Sequence, residues 1–175
     1  MASRSRIIDA GLRLVREALR TTTRRPSTKR ASFRPTEPRT ADRYPGDFTG
    51  RPTITYAPFN DDVADPGEVV WTWVPYEEDH TQGKDRPALI IGRDGRWLLA
   101  LQVTSQDHDV DAEQEARAGR YWEDIGTGGW DSRGRPSEVR VNRIIRIDPH
   151  EVRRIGAVLE EHRFEHVAKA VRRHY

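Results

Sequence analysis

Two clusters in the chain carry side chains suited to a phosphate: Asp85-Arg86-Pro87 and Thr104-Ser105-Gln106. A guanidinium offers fixed, permanently charged donors to phosphate oxygens, and hydroxyls add neutral ones. The clusters flank two apolar runs, Ala88 to Ile91 and Trp97 to Val103, which are separated by Arg93-Asp94-Gly95-Arg96. Asp-Gly between apolar runs predicts a hairpin in which both turn positions take φ > 0. Its arms pair antiparallel, so position i faces about 189 − i. That register brings Arg86 beside Val103 and Thr104. An arginine and two hydroxyls then meet at one end of a sheet, next to the loop carrying His80. The structural alternative is that Arg86 pairs with Asp85 or Glu78 and the hydroxyls merely close off the strand.

Other motifs carry less. His162-Arg163-Phe164-Glu165-His166 has the H-x-x-E-H spacing of a zinc site. Phe164 falls on the apolar stripe of the last helix and no third carboxylate ligand follows, so two histidines on a solvated helix face explain it. Asp107-His108-Asp109-Val110-Asp111 begins like a calcium loop but continues with Ala112 and Ala118 where glycine and glutamate are needed. Gly126-Thr127-Gly128-Gly129 lacks the Lys-Ser/Thr of a phosphate loop and reads as a flexible connection. No metal or cofactor is expected.

The elements that must position Arg86 and Thr104 follow from periodicity. Pro66-Gly67 is a turn signal that opens the domain. Val69 to Val74 is a buried strand, and Glu77 to Asp85 a polar loop. Ala88–Ile91 and Trp97–Val103 are the second and third strands. Asp107 to Gly119 is a loop with a helical turn, and Tyr121 to Ile125 a fourth strand. In Val139 to Ile147, Val139, Val141, Ile145 and Ile147 face one way and Arg140, Asn142 and Arg146 the other, giving a half-buried fifth strand. Asp148-Pro149 then opens a helical segment. Phe164, Val167, Ala168 and Val171 stripe a final helix, with Arg172-Arg173 suited to its C-terminal dipole. The class is mainly β with a C-terminal helix, α+β: a small curled antiparallel barrel with a helix packed on it.

Before the domain the chemistry changes. Residues 1–43 hold twelve Arg/Lys against four Asp/Glu, a net +8, while residues 44–175 carry −6. A basic arm on a mildly acidic body attracts nucleic acid, anionic membranes or acidic partners. Residues 5–20 predict a short helix, with Ile8, Leu12, Val15 and Leu19 on one stripe and Arg13, Arg16 and Arg20 opposite. Residues 21–45 have the composition of disorder. The organisation is thus a basic arm over 1–45, an extended lead-in over 46–65 and a domain over 66–175. Tyr56 and Phe59 in the lead-in call for burial across that domain. The 175 residues include no cysteine, which excludes disulfides and thiolate metal sites. No apolar run approaches the roughly 20 residues of a membrane helix. The first apolar stretch, Ile7 to Val15, is broken by Asp9 and Arg13, unlike a secretory signal, though an Arg- and Ser-rich amphipathic start also suits a mitochondrial transit peptide. Arginine outnumbers lysine 27 to 3, which suggests a GC-rich coding sequence and a bacterial cytoplasm.

The residues also resemble a known family. Gly67-Glu68-Val69-Val70-Trp71, a polar loop, and Lys84-Asp85-Arg86-Pro87-Ala88-Leu89-Ile90-Ile91 are similar to the opening of MazF/PemK toxins of type II toxin-antitoxin systems. The apolar third strand ending in Thr104-Ser105 fits the same pattern. So do Ser137-Glu138-Val139, Ile144-Ile145-Arg146-Ile147-Asp148 and Ile155-Gly156, so that the resemblance covers about residues 66–170. It implies an SH3-like barrel of the CcdB/MazF type, usually a homodimer, acting in the cytoplasm with a cognate antitoxin as partner and with DNA reached through the antitoxin complex. It implies a metal-independent endoribonuclease of single-stranded RNA, with catalytic Arg86 and Thr104. The ribose 2′-OH would attack the neighbouring phosphate, with Arg86 stabilising the developing charge. Ser105, Gln106, His80 and Lys84 would line the RNA path, and Trp73, Tyr76 and Trp130 could stack unpaired bases. The acidic body, the Glu77-Glu78-Asp79 loop, the Asp107–Gly119 insertion and the basic arm depart from the compact toxin pattern. Two alternatives therefore stand beside the nuclease. One is a non-catalytic barrel binding nucleic acid or a protein, and the other a gyrase-type poison in which Arg86 is irrelevant.

Overall fold

The alternating and continuous apolar runs produce the strands that the sequence predicts, and one more. The computed structural model describes residues 44–105 and 112–175. The expected helix over 5–20, the tract that follows it as far as residue 43, Gln106 and the Asp107–Asp111 motif lie outside those residues. Strands β1 (Glu68–Pro75), β2 (Gly83–Asp94) and β3 (Trp97–Thr104) come first. Helix α1 (Ala112–Arg117), β4 (Trp122–Gly126), β5 (Ser137–Ile147), a 3-10 turn (Pro149–Glu151), β6 (Arg154–Val158) and α2 (Glu161–Val171) follow. The strands form one sheet in the order β4-β5-β3-β2-β1-β6, antiparallel throughout.

The period-2 alternation gives the sheet two apolar faces. Val69, Leu89, Leu101, Val103, Val139 and Val141 join one cluster with Phe164, Val167, Ala168 and Val171 of α2. The stripe expected on the last helix is thus the surface that covers this face. Burying each such aliphatic or aromatic side chain is worth about 1.5–3 kcal/mol before entropy is charged. Val70, Val74, Ala88, Ile90, Leu98, Ala100, Ile145 and Ile147 form the second cluster, with Val152 and Ile155 packed against it.

Four local features differ from expectation. The segment after Asp148-Pro149 is only a single 3-10 turn, in which Asp148 accepts from the His150 N–H. The chain then pairs β6 with β1, Trp71 opposite Arg154 and Val70 opposite Ile155. In β5, Val139 and Val141 face α2 whereas Ile145 and Ile147 join the other cluster. An irregularity causes this: Leu101 faces Ile144 but Val103 faces Val139, so extra β5 residues bulge out and reverse the parity. In the hairpin, Asp94 faces Trp97, which makes Gly95-Arg96 the turn. Positive φ occurs at Gly95 (58°) and, among the described residues, at no non-glycine residue, the II′ pattern rather than I′. Finally, the Gly126–Gly129 tract serves close packing: a Cβ on Gly128 would stand 2.1 Å from the Trp130 ring.

Edge strands β4 and β6 do not pair among the described residues, so the sheet is open in its hydrogen bonding. The β4–β5 loop reaches across instead. Trp71 Nε1 donates to the Trp130 carbonyl at 3.1 Å, and a Cβ on Gly156 of β6 would stand 3.2 Å from Trp130 Cα.

The lead-in straps the sheet. Phe48 N–H donates to Ile144 O at 2.8 Å and Thr55 N–H to Ile91 O at 3.2 Å. Tyr56 packs beside Phe164 and donates its hydroxyl to Leu159 O. Phe59, expected to bury with it, stays 67% exposed. Among the described residues no helix is long and apolar enough to cross a membrane.

Candidate active site

Arg86 lies opposite Thr72 in the β1–β2 ladder. Opposed residues share a face, so Arg86, Thr72, Lys84 and Val74 point away from α2, in line with Ala88 and Ile90. On the other side of β2, the ladder to β3 ends at Ala88 opposite Gln102. It stops beside Pro87, which has no N–H to give. Carried two residues past that last rung, the register sets Arg86 opposite Thr104. Thr104 in turn faces Glu138 of β5. The rungs Thr72–Arg86 and Thr104–Glu138 thus lie on the same face at one end of the sheet. The hairpin register expected from the sequence, about 189 − i, set Arg86 beside Val103 and Thr104. The Gly95-Arg96 turn and the irregularity between Ile90 and Gly92 select Thr104. Because facing alternates, Val103 points the other way, into the α2-side core.

The charges around these rungs are arranged unequally. Arg140, buried on β5, donates to both Glu77 oxygens at 2.7 and 3.1 Å. This hydrogen-bonded pairing lowers the Glu77 pKa against the opposing effect of burial. Arg143, also buried, binds Asp47 at 2.7 Å and donates to Pro75 O at 3.0 Å. Arg146 binds Asp94 at 2.9 Å and the carbonyls of Gly46 and Asp47. Asp85, one suggested partner of Arg86, instead holds Arg153 at 2.8 Å. Arg86 is half-buried and its side chain, among the described residues, makes no hydrogen bond or ion pair.

The other expected site residues divide. Lys84 is exposed on the Arg86 face, and Ser105 follows Thr104 just past β3. His80 sits in the β1–β2 loop, 4.0 Å from Asp47 and edge-on to Tyr44 at 5.0 Å. Burial, helped by the hydrogen bond to Asp47, raises the Tyr44 pKa. Tyr76 is exposed at the start of that loop. Trp73 lies opposite Asp85, on the face turned away from Arg86, with its indole against Gly83. Trp130 is no stacking surface. It is 2% exposed, belongs to the α2-side core and donates its indole N–H to Ser137 Oγ at 3.1 Å. A tryptophan set among glycines and aspartate looks exposed in sequence, and only the packing of those glycines buries it. Reasoning from sequence passed over Glu138 and Thr72. The alternation of Val139 and Val141 was a signal for Glu138, since it puts the residue before Val139 on the opposite, polar side.

Residues 65–175 match the PemK-like, MazF-like toxins of type II toxin-antitoxin systems. The chain belongs to this family. The PemK/MazF match spans the six strands and two helices of the described residues, with Thr72, Arg86, Thr104 and Glu138 among them. No curated protein sequence matches the chain. Among solved structures, it is similar to MazF from Deinococcus radiodurans at 20% identity, covering 63% of this chain and 94% of that one, with a TM-score of 0.46. It is similar to a MazE-MazF structure from the same organism at the same identity and coverage, with a TM-score of 0.44.

Proposed function

We propose that this PemK/MazF-family protein is a metal-independent endoribonuclease that cleaves single-stranded RNA by attack of a ribose 2′-OH on the adjacent phosphate. The observation that carries the reading is Arg86: withdrawn from solvent, uncommitted among the described residues, and on one face with Thr104. Keeping a cation half-buried without an acid is costly unless an anion arrives. A phosphate on this face meets Arg86 as the charge grows on its equatorial oxygens, and preorganised charge of this kind is worth about 10²–10³ in rate. Thr104 donates to a phosphate oxygen. Lys84 and Ser105 hold flanking phosphates, and exposed Tyr76 offers a face to an unpaired base. Trp73 serves only RNA that turns around the sheet edge. The family assignment supports a cognate antitoxin as partner, a homodimer and action in the cytoplasm.

The test is incubation of the chain with single-stranded RNA, with and without chelator, beside Arg86→Ala and Thr104→Ala. Expression should arrest growth, and both variants should relieve the arrest and lose cleavage, Arg86→Ala by about 100-fold or more. Variants as active as the parent would sink the reading. A parent that binds RNA without cutting it would favour a non-catalytic member of the family.

A further inference from the structure

The β1–β2 loop, residues 76–82, folds on itself around Asp79. That carboxylate accepts from the Thr81 N–H at 2.9 Å, the Thr81 hydroxyl at 2.6 Å and the Gln82 amide at 2.7 Å, and Tyr76 N–H donates to Gln82 O at 2.9 Å. These bonds shape the loop but tie it only to itself. Two attachments hold it against the body. Glu77 reaches Arg140, which lies between Val139 and Val141 of the α2-side core and so points to the opposite, Arg86 face. His80 reaches the strap: its ring stands edge-on to Tyr44 at 5.0 Å and its Nε2 lies 4.0 Å from Asp47. Asp47 is itself fixed. It accepts from the Tyr44 hydroxyl and from Arg143 at 2.7 and 3.3 Å, and Phe48 beside it is bonded to Ile144. Tyr44 and Asp47 come before the residues that match the family, so the strap's hold on this loop lies outside that match.

We propose that Tyr44 is a positioning residue for RNA binding, held in place by Asp47: the strap anchors the β1–β2 loop through His80 and keeps it ordered at the Arg86 end of the sheet before RNA arrives. The inference rests on the function proposed above, in which this loop borders the RNA path. Gly83, where the loop enters β2, leads to Arg86 through Lys84 and Asp85. A loop tied only at its ends loses conformational freedom when RNA orders it, and that loss weakens binding. Anchoring it beforehand at His80 removes part of the cost. The anchor touches no reacting atom, so it acts on affinity and leaves the chemical step unchanged.

The experiment compares the full chain with Tyr44→Ala, Tyr44→Phe, His80→Ala and the Tyr44→Ala/His80→Ala double variant. Hydrogen exchange of the loop amides is measured first. Binding of an uncleavable single-stranded oligonucleotide, 2′-deoxy throughout, and kcat and KM on a single-stranded RNA are measured alongside. Tyr44→Ala should speed exchange of the loop amides while those of β2 and β3 keep the parental rate. It should raise Kd and KM about fivefold, the worth of one aromatic pair, at the parental kcat. Tyr44→Phe keeps the ring beside His80 and should stay within about twofold of the parent. In the His80→Ala background Tyr44→Ala should add nothing, because its route to the loop is already cut. Unchanged loop exchange in Tyr44→Ala overturns the proposal and leaves the nuclease reading standing. So does the same loss of affinity in the His80→Ala background. A fall in kcat together with a lower urea midpoint marks Tyr44 as general support for the fold and overturns the proposal too. A parent that neither binds nor cuts RNA overturns the nuclease reading, and this one with it.

Discussion

At the turn end of the β2–β3 hairpin, Arg93 and Arg146 arrive with their counter-charges; at the open end, Arg86 does not. Arg146 is gripped by Asp94 and two strap carbonyls and lies over the Phe48 ring. Arg93 reaches the Ala64 carbonyl and lies 3.5 Å from Asp65. Further along β5, Arg143 and Arg140 are each held by an acid from the strap or the β1–β2 loop. Arg86 has no such partner among the described residues. The paired arginines and Arg86 therefore differ less in burial than in whether the fold supplies the anion. Leaving a buried charge uncompensated is costly, which is why the structural ones are matched.

The sharpest way to break this contrast is to exchange Arg86 and Arg143. Arg86→Ala should lower RNA cleavage by about 100-fold or more while leaving the urea midpoint unchanged. If it unfolds the protein, Arg86 belongs with the structural set. Arg143→Ala should do the reverse, costing about 3 kcal/mol in urea denaturation because Asp47 and Pro75 O lose their donor. A midpoint equal to the parent's would show that the strap contributes nothing through Asp47. At the turn itself, Gly95→Ala should cost about 1 kcal/mol, since φ of 58° penalises a Cβ. No loss there would mean that the turn relaxes to another type.

The smallest effect tests the Arg140 pairing by pH. Glu77 has its pKa lowered by the Arg140 hydrogen bonds, so its ionised form is favoured by folding. The stability it contributes is present above the ordinary carboxylate value of 4.5 and is lost as pH falls through the lower folded value. Thermal midpoints measured on the acid side of 4.5 should therefore fall more steeply for the parent than for Glu77→Gln. Parallel curves would show the pair too exposed to matter.

Much of the fold was legible because it rests on short-range patterning. The runs Val69–Val74 and Trp97–Val103, the Asp-Gly signal and the Phe164–Val171 stripe each specify their element locally. β6 was hidden because Asp148-Pro149 imitates a helix start and the strand has only five residues. It exists because β1 would otherwise present an unpaired edge. The strap was half visible: Tyr56 found its site and Phe59 did not. Trp130 was misjudged because its burial depends on backbone approaching from β6, to which no local pattern points.

By itself the sequence determined which residues could handle a phosphate, that Arg86 and Thr104 end neighbouring strands, and that an α-helix closes the chain. Those follow from side-chain chemistry and from periods of two and 3.6, which are local. Tertiary structure alone decided the remainder: that the register selects Thr104, that Glu138 faces it from β5, and that Arg140, Arg143 and Arg146 are already spoken for. A ladder irregularity and an ion pair between distant segments are settled by packing across the sheet.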